Sequence, residues 1–167
     1  MARVGIGLGS NLGDRVSNLS KAIVCLGDAR STSHLLVSGL YETAPVKCPP
    51  DSPDFFNCVI EIETELSPVD LLDFTQDIER KLGRPDERAR NAPRPVDLDL
   101  LYYEEIVLQS DRLSLPHPRL QERAFVVLPL LEIRPDLKAQ FGLNDLSGQT
   151  IKKTDHPEWK YFLQTII

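Results

Sequence analysis

The chain has 167 residues, of which 41 % are hydrophobic and 26 % charged, with a formal net charge of −6, and this is read as a single globular domain over residues 1–167 with room for a substantial core. The acidic balance argues against general nucleic-acid or anionic-membrane binding, which want a basic face, but leaves room for a nucleotide in a locally basic pocket. No apolar run approaches the ~20 residues that span a bilayer, the first residues carry no secretory pattern, and the three cysteines, Cys25, Cys48 and Cys58, lack metal-ligand spacing; a reduced cytoplasm is the expected location.

In chain order, Arg3 to Leu8 reads as a buried strand containing glycines, followed by a turn at Gly9–Asp14. The glycines are not a dinucleotide fingerprint, because their spacing is wrong and they lie within the strand; they read as packing room. From Arg15 a helix follows, with Val16, Leu19, Ile23 and Leu26 on one face and Gly27 as its stop. Leu35 to Tyr41 is a second strand, followed by a proline-rich loop, Ala44–Pro53. Phe55 to Glu63 alternates as a third strand. Ser67 and Pro68 are an N-cap and first helical residue, and that helix runs through Leu71 and Ile78 to Leu82, ending at Gly83.

A charged loop, Arg84–Pro95, leads into a strand at Asp97. A hairpin at Ile106–Leu115 and a helix through Val126–Leu131 follow. The order βαββαβ with a C-terminal extension predicts an α+β fold: a ferredoxin-like core, its antiparallel sheet covered by helices on one face. Both long loops are expected to be mobile without ligand. The tail's Trp159, Tyr161, Phe162, Ile166 and Ile167 are expected to pack back on the domain, with a dimer contact as the alternative.

The chemistry concentrates in Arg94-Pro95-Val96-Asp97-Leu98-Asp99. Side chains alternate across a strand, so Asp97 and Asp99 share a face while Leu98 and Leu100 point to a core. Like charges side by side suit a hard divalent cation such as Mg²⁺, which takes one or two carboxylates and completes its shell with water and phosphate oxygens. The alternative is an edge strand whose acids face water. What favours the metal is the arginine density: Arg84, Arg88, Arg90 and Arg94 before the strand, Arg112, Arg119 and Arg123 after it, each a planar fork suited to phosphate.

His117 is braced by Pro116 and Pro118, and either donates to a phosphate or caps a turn. Phe55 and Asn57 share a strand face; an aromatic beside an amide suits a flat heterocycle, although a core Phe and a backbone-satisfied Asn fit equally well.

Taken together, the segments Gly9–Asp14, Tyr41-Glu42-Thr43, Phe55-Phe56-Asn57, Glu79 with Leu82-Gly83-Arg84, Pro93–Asp99, Leu115–Pro118 with Arg123 and Phe125, and Gly148–Ile151 resemble the 6-hydroxymethyl-7,8-dihydropterin pyrophosphokinases of folate biosynthesis. The resemblance implies transfer of pyrophosphate from ATP to the pterin hydroxymethyl group, with AMP as the other product. It also implies two Mg²⁺ ions on Asp97 and Asp99, with Arg84 and Arg94 steadying the phosphates and arriving only on loop closure. Gln76, Glu79, Leu98, Arg112, Ser114, His117 and Arg123 match ATP-side positions. Thr43, Ala44, Val46, Phe55, Asn57 and Phe125 match the pterin side. ATP and the pterin are the expected partners, without nucleic acid or membrane, and a monomer is expected. Two positions depart from the family pattern: Asn91 stands where many members carry Trp, and Pro118 where many carry Tyr. Another Mg²⁺-dependent nucleotide transferase on the same scaffold, and a non-catalytic ferredoxin-like binding module, are the alternative readings.

Overall fold

The computed structural model describes residues 1–29, 31–45, 47–87, 91–142 and 144–166. A mixed α/β architecture is built on a six-stranded sheet in the order β5-β1-β4-β3-β8, with β2 also pairing with β4. The strands are β1 (Ala2–Ser10), β2 (Thr32–Val37), β3 (Leu40–Thr43), β4 (Phe55–Thr64), β5 (Asp97–Tyr103) and, from the tail, β8 (Ile151–Thr154); β6 (Leu108–Gln109) and β7 (Ser114–Leu115) form a separate hairpin. All of the strand pairings are antiparallel.

Helix α1 (Arg15–Gly27) starts where the Asp14 side chain accepts the Ser17 amide, and α2 (Pro68–Lys81) where Ser67 accepts that of Asp70. Each cap satisfies an amide that has no partner inside the helix. Gly83 takes φ +101 just beyond α2, the left-handed ending expected of it. The expected second strand is instead two. Ser38 interrupts it: its amide donates to the Val59 carbonyl at 2.9 Å and its Oγ accepts the Val59 amide at 2.9 Å. That exchange breaks the ladder between β2 and β3.

The sheet is covered on both faces, not on one as expected. On one face α1, α2 and α5 (Pro157–Ile166) bury Leu19, Ile23, Leu71, Ile78 and Trp159 against Ile6, Ile60, Leu98 and Leu100. On the other, α3 (Ala124–Ile133) and Phe141 of the short α4 (Lys138–Phe141) pack on Val59, Leu101 and Tyr102. The cause is a register shift in β5 opposite Gly5/Ile6, after which Leu101 and Tyr102 both join that second core. Its apolar surface must be covered, and α3 (AFVVLPLLEI) is apolar nearly throughout.

The tail packs back as expected. Trp159 is buried, and its Nε1 donates to the Ser38 carbonyl at 3.2 Å. Phe162 and Ile166 sit half-buried against the same core. Tyr161, expected to pack with them, is 70 % exposed.

Candidate active site

Beyond α3 the second face stays open at one end, and the strand register decides what meets there. Gly9 lies between Asp97 of β5 and Asn57 of β4, Gly7 is opposite Asp99, and Thr43 of β3 is opposite Phe55. The floor is therefore acidic on one side, bare backbone in the middle, and aromatic and amide on the other. A Cβ at Gly9 would come within 2.9 Å of Asn57 Oδ1 and 3.4 Å of the Phe55 ring. The glycines do make packing room, and at Gly9 the room belongs to this cavity. It encloses about 490 Å³, ample for a small ligand, and its walls include Lys47, Arg84, Asn91, Arg94, His117, Arg119, Arg123, Phe125 and Gln149.

The arginines and acids engage one another. Arg84 Nη1 sits 2.7 Å from Glu79 and 2.8 Å from Asp97, Arg94 Nη2 lies 3.4 Å from the other Asp97 oxygen, and Arg123 lies 3.7 Å from Asp99. Enclosure first, and the neighbouring Asp97 charge second, push Asp99 above the usual carboxylate range, opposed by Arg123. Although 40 % exposed, the side chain looks into this recess. Glu79 is buried, which pushes it up to about 6 against the opposing Leu98 amide and Arg84.

Burial, then Arg123 and Arg119, lower His117 to about 4, so the ring is neutral near pH 7. Its Nδ1 accepts the Arg119 amide at 3.1 Å, which leaves the proton on Nε2. The Arg94 Nε is buried without a hydrogen-bond partner among the described residues, and its guanidinium stands 5.2 Å from the Phe55 ring centre. An unpaired buried donor among cationic side chains fits an anionic oxygen. Asp97 and Asp99 fit Mg²⁺ in a similar way: both carboxylates line the recess beside these arginines. Two carboxylates leave the remaining coordination positions to water and phosphate, as that ion prefers.

Eleven of the site residues predicted from the sequence line this cavity. Thr43, Ala44, Phe55, Asn57, Arg84, Arg94, Asp97, Asp99, His117, Arg123 and Phe125 all line it. Asn57 Nδ2 donates to Thr43 Oγ1 at 2.8 Å, so the amide is held by a side chain rather than by backbone. Glu79 is drawn inward, anchoring Arg84 and accepting the Leu98 amide at 2.7 Å. The Leu98 side chain is core, as its alternation requires.

Gln76, half-buried on α2, and Ser114, in the β6–β7 hairpin, lie outside the cavity lining. Arg112 is exposed and pairs with Asp73 of α2. Val46, Arg88 and Arg90 fall outside the described residues. Arg84 and Arg94, expected to arrive only on closure, already stand over Asp97, because a carboxylate facing an enclosed recess attracts the nearest guanidinium.

Asn11 received no role from the sequence. It is buried, its Oδ1 accepts the Arg94 amide at 2.9 Å, its own amide donates to the Arg94 carbonyl, and its Nδ2 reaches the Pro53 carbonyl. It fixes the end of β1 to both long loops. Its place in the Gly9–Asp14 turn was the only signal available.

Residues 5–135 match the model of the 7,8-dihydro-6-hydroxymethylpterin-pyrophosphokinase family. The 2-amino-4-hydroxy-6-hydroxymethyldihydropteridine pyrophosphokinase of Bacillus subtilis is 44 % identical over 128 residues, 77 % of this chain and 75 % of that protein. The enzyme of the same name from Haemophilus influenzae is 42 % identical over 132 residues, covering 79 % and 81 %. Among solved structures, a Plasmodium falciparum HPPK-DHPS crystal structure with SDX-DHP superposes with a TM-score of 0.64 at 14 % identity, over 87 % of this chain and 43 % of that one. This last likeness is one of fold, and the protein spans less than half of that chain.

Proposed function

We infer the function from the premise that this chain belongs to the 7,8-dihydro-6-hydroxymethylpterin-pyrophosphokinase family: it is a pyrophosphokinase of folate biosynthesis that uses ATP as co-substrate. The reaction moves the β,γ-diphosphate of ATP to the hydroxymethyl oxygen of 6-hydroxymethyl-7,8-dihydropterin. An O–Pβ bond forms, the bond from Pβ to the α-phosphate oxygen breaks, AMP leaves with that electron pair, and the hydroxyl proton is released. The observation that carries this reading is one cavity in which Asp97, Asp99 and four arginines face Phe55, Asn57 and Phe125 across a floor of glycine. A phosphate-and-metal half adjoins a flat-heterocycle half, as this pair of substrates requires. A non-catalytic binding module does not explain both halves, and the family relation favours diphosphate over γ-phosphoryl transfer.

In this reading Asp97 and Asp99 hold two Mg²⁺ ions. When bound, these neutralise the triphosphate and align the in-line displacement. Arg84 and Arg94 leave Asp97 for the phosphates, where they stabilise charge developing in the transition state. Glu79, fixed by α2, keeps Arg84 within reach. His117 donates from Nε2 to a phosphate oxygen, and Arg123 counters the same charge.

The adenosine runs along the outer edge of β5, past Gln76, Arg112 and Ser114. The N–H and C=O of one strand residue leave on the same side, so the Leu98 carbonyl is offered there beside the amide that Glu79 takes. Phe55 and Phe125 enclose the pterin ring, Asn57 and Thr43 read its edge, and Ala44 and Val46 line its rim. In the same reading the sheet is a ferredoxin-like core, which the order β5-β1-β4-β3 supports. We take the working unit to be a cytoplasmic monomer formed by one domain; no helix among the described residues is long and apolar enough to cross a membrane.

The test is AMP release from ATP and Mg²⁺ with and without 6-hydroxymethyl-7,8-dihydropterin. AMP formed only when the pterin is present supports the reading. ADP as product, or AMP release indifferent to the pterin, overturns it.

A further inference from the structure

We propose that Gln149, in the Gly148–Ile151 segment of the tail after residues 5–135, is a positioning residue that sets Arg123 and Phe125 for the reaction; the proposal rests on the function given above. Helix α3 begins at Ala124 with Arg123 as its N-cap, and no side chain of the cap residue bonds to the helix. The first amides of a helix have no intrahelical partner, and Arg is a poor cap. Gln149 supplies what the local sequence lacks. Its Oε1 accepts the Ala124 amide at 2.8 Å, and its Nε2 donates to the Glu122 carbonyl at 2.8 Å. One side-chain amide thus grips the groups on either side of Arg123, which is held extended at φ −113, ψ 109.

What is held matters because of where it points. The Arg123 guanidinium lies 3.7 Å from Asp99 and 5.5 Å from the Phe125 ring centre. The phosphate-side arginine and the aromatic wall therefore share one backbone anchor. Gln149 is itself anchored. Asp145 accepts the Ser147 amide at 2.8 Å, Gly148 turns the chain at φ +82, and from Ile151 the chain pairs with Thr43 of β3. The tail ties the sheet edge on one side of the cavity to the α3 terminus on the other.

The test uses the full chain with Gln149→Leu, which keeps size but makes neither bond, Arg123→Ala, and the double variant. ATP affinity by calorimetry and steady-state kcat and KM are the readouts, and Trp159 fluorescence follows folding. Expected is a loss in kcat/KM of about ten- to hundredfold for Gln149→Leu, the equivalent of about one to two hydrogen bonds, with a single cooperative melting transition lowered only by the few degrees that a lost helix cap costs. In the Arg123→Ala background the same change should cost ATP affinity little more, because its effect passes through Arg123. An equal loss of ATP affinity in both backgrounds, or kcat/KM within about twofold of wild type, overturns the proposal. Wild-type protein that binds ATP but makes no AMP overturns the assigned function instead, and the cycle on ATP affinity still judges the clamp.

Discussion

At the scale of single residues, Asp97 is the hub: Arg84 and Arg94 both converge on it. Asp97→Asn keeps the shape and removes the charge. Metal-assisted charge stabilisation is worth several kcal/mol, so turnover should fall by about a thousandfold. The melting temperature should move little, since the lost ion pairs are offset by relief of repulsion with Asp99 and Glu79. AMP release and a thermal melt on the same preparation check both halves, and near-normal AMP release would sink the metal assignment. His117 gives a pH signature. Its folded value of about 4 lies below the usual 6.5, so between those values the unfolded chain takes up a proton that the folded chain refuses. The stability linked to His117 is therefore full above about pH 6.5 and is lost as the pH falls toward about 4. Urea midpoints at about pH 7 and pH 5 should drop further for wild type than for His117→Gln; equal drops would show that the histidine titrates normally. The alternation that put Asp97 with Asp99 and Phe55 with Asn57 was legible because it is local geometry. Glu79 as the acceptor of the Leu98 amide, and Asn11 as the anchor of Arg94 across 83 positions, were not, because nothing near either residue specifies its partner.

At the scale of elements, the two long loops meet through Asn91, whose Nδ2 donates to the Lys47 carbonyl at 2.8 Å. Both residues have positive φ, +57 at Asn91 and +53 at Lys47, a conformation that Asn adopts more readily than most residues. Where many family members carry Trp, Asn91 thus forms a polar latch between the loops. Asn91→Gly keeps the backbone and removes the latch. One hydrogen bond of ~0.5–1.5 kcal/mol predicts a rise in pterin KM of about three- to tenfold with kcat unchanged. Steady-state kinetics decide it; an unaltered KM would mean that the loops close over the pterin unaided. The helix starts at Asp14 and Ser67 were readable from the residues around them, because capping is satisfied within one turn. The division of the second strand was not. It depends on Ser38 meeting Val59, which lies on another strand.

At the scale of the whole molecule, the tail does two things: β8 extends the sheet beside β3, and α5 returns over the first core to bury Trp159 to 2 % exposure. Trp159→Ala should cost about 3–5 kcal/mol of stability, the usual range for emptying a buried aromatic site, while substrate KM values stay near wild type below the transition. Urea denaturation and kinetics on one preparation test this; a collapse of KM with little loss of stability would make α5 part of the site. The sequence by itself determined the chemical inventory and its local order: two acids on one face of a strand, arginines on both sides of them, an aromatic beside an amide, and the segments by which the family is known. Tertiary structure decided the partners: α3 covering the second face, Glu79 at the Leu98 amide, Asn11 behind Arg94, and Gln149 around Arg123. The physical reason is one of range. Strand alternation and helix caps follow from covalent geometry over a few residues, whereas these contacts join distant segments, and the packing of two apolar faces settles which of them meet.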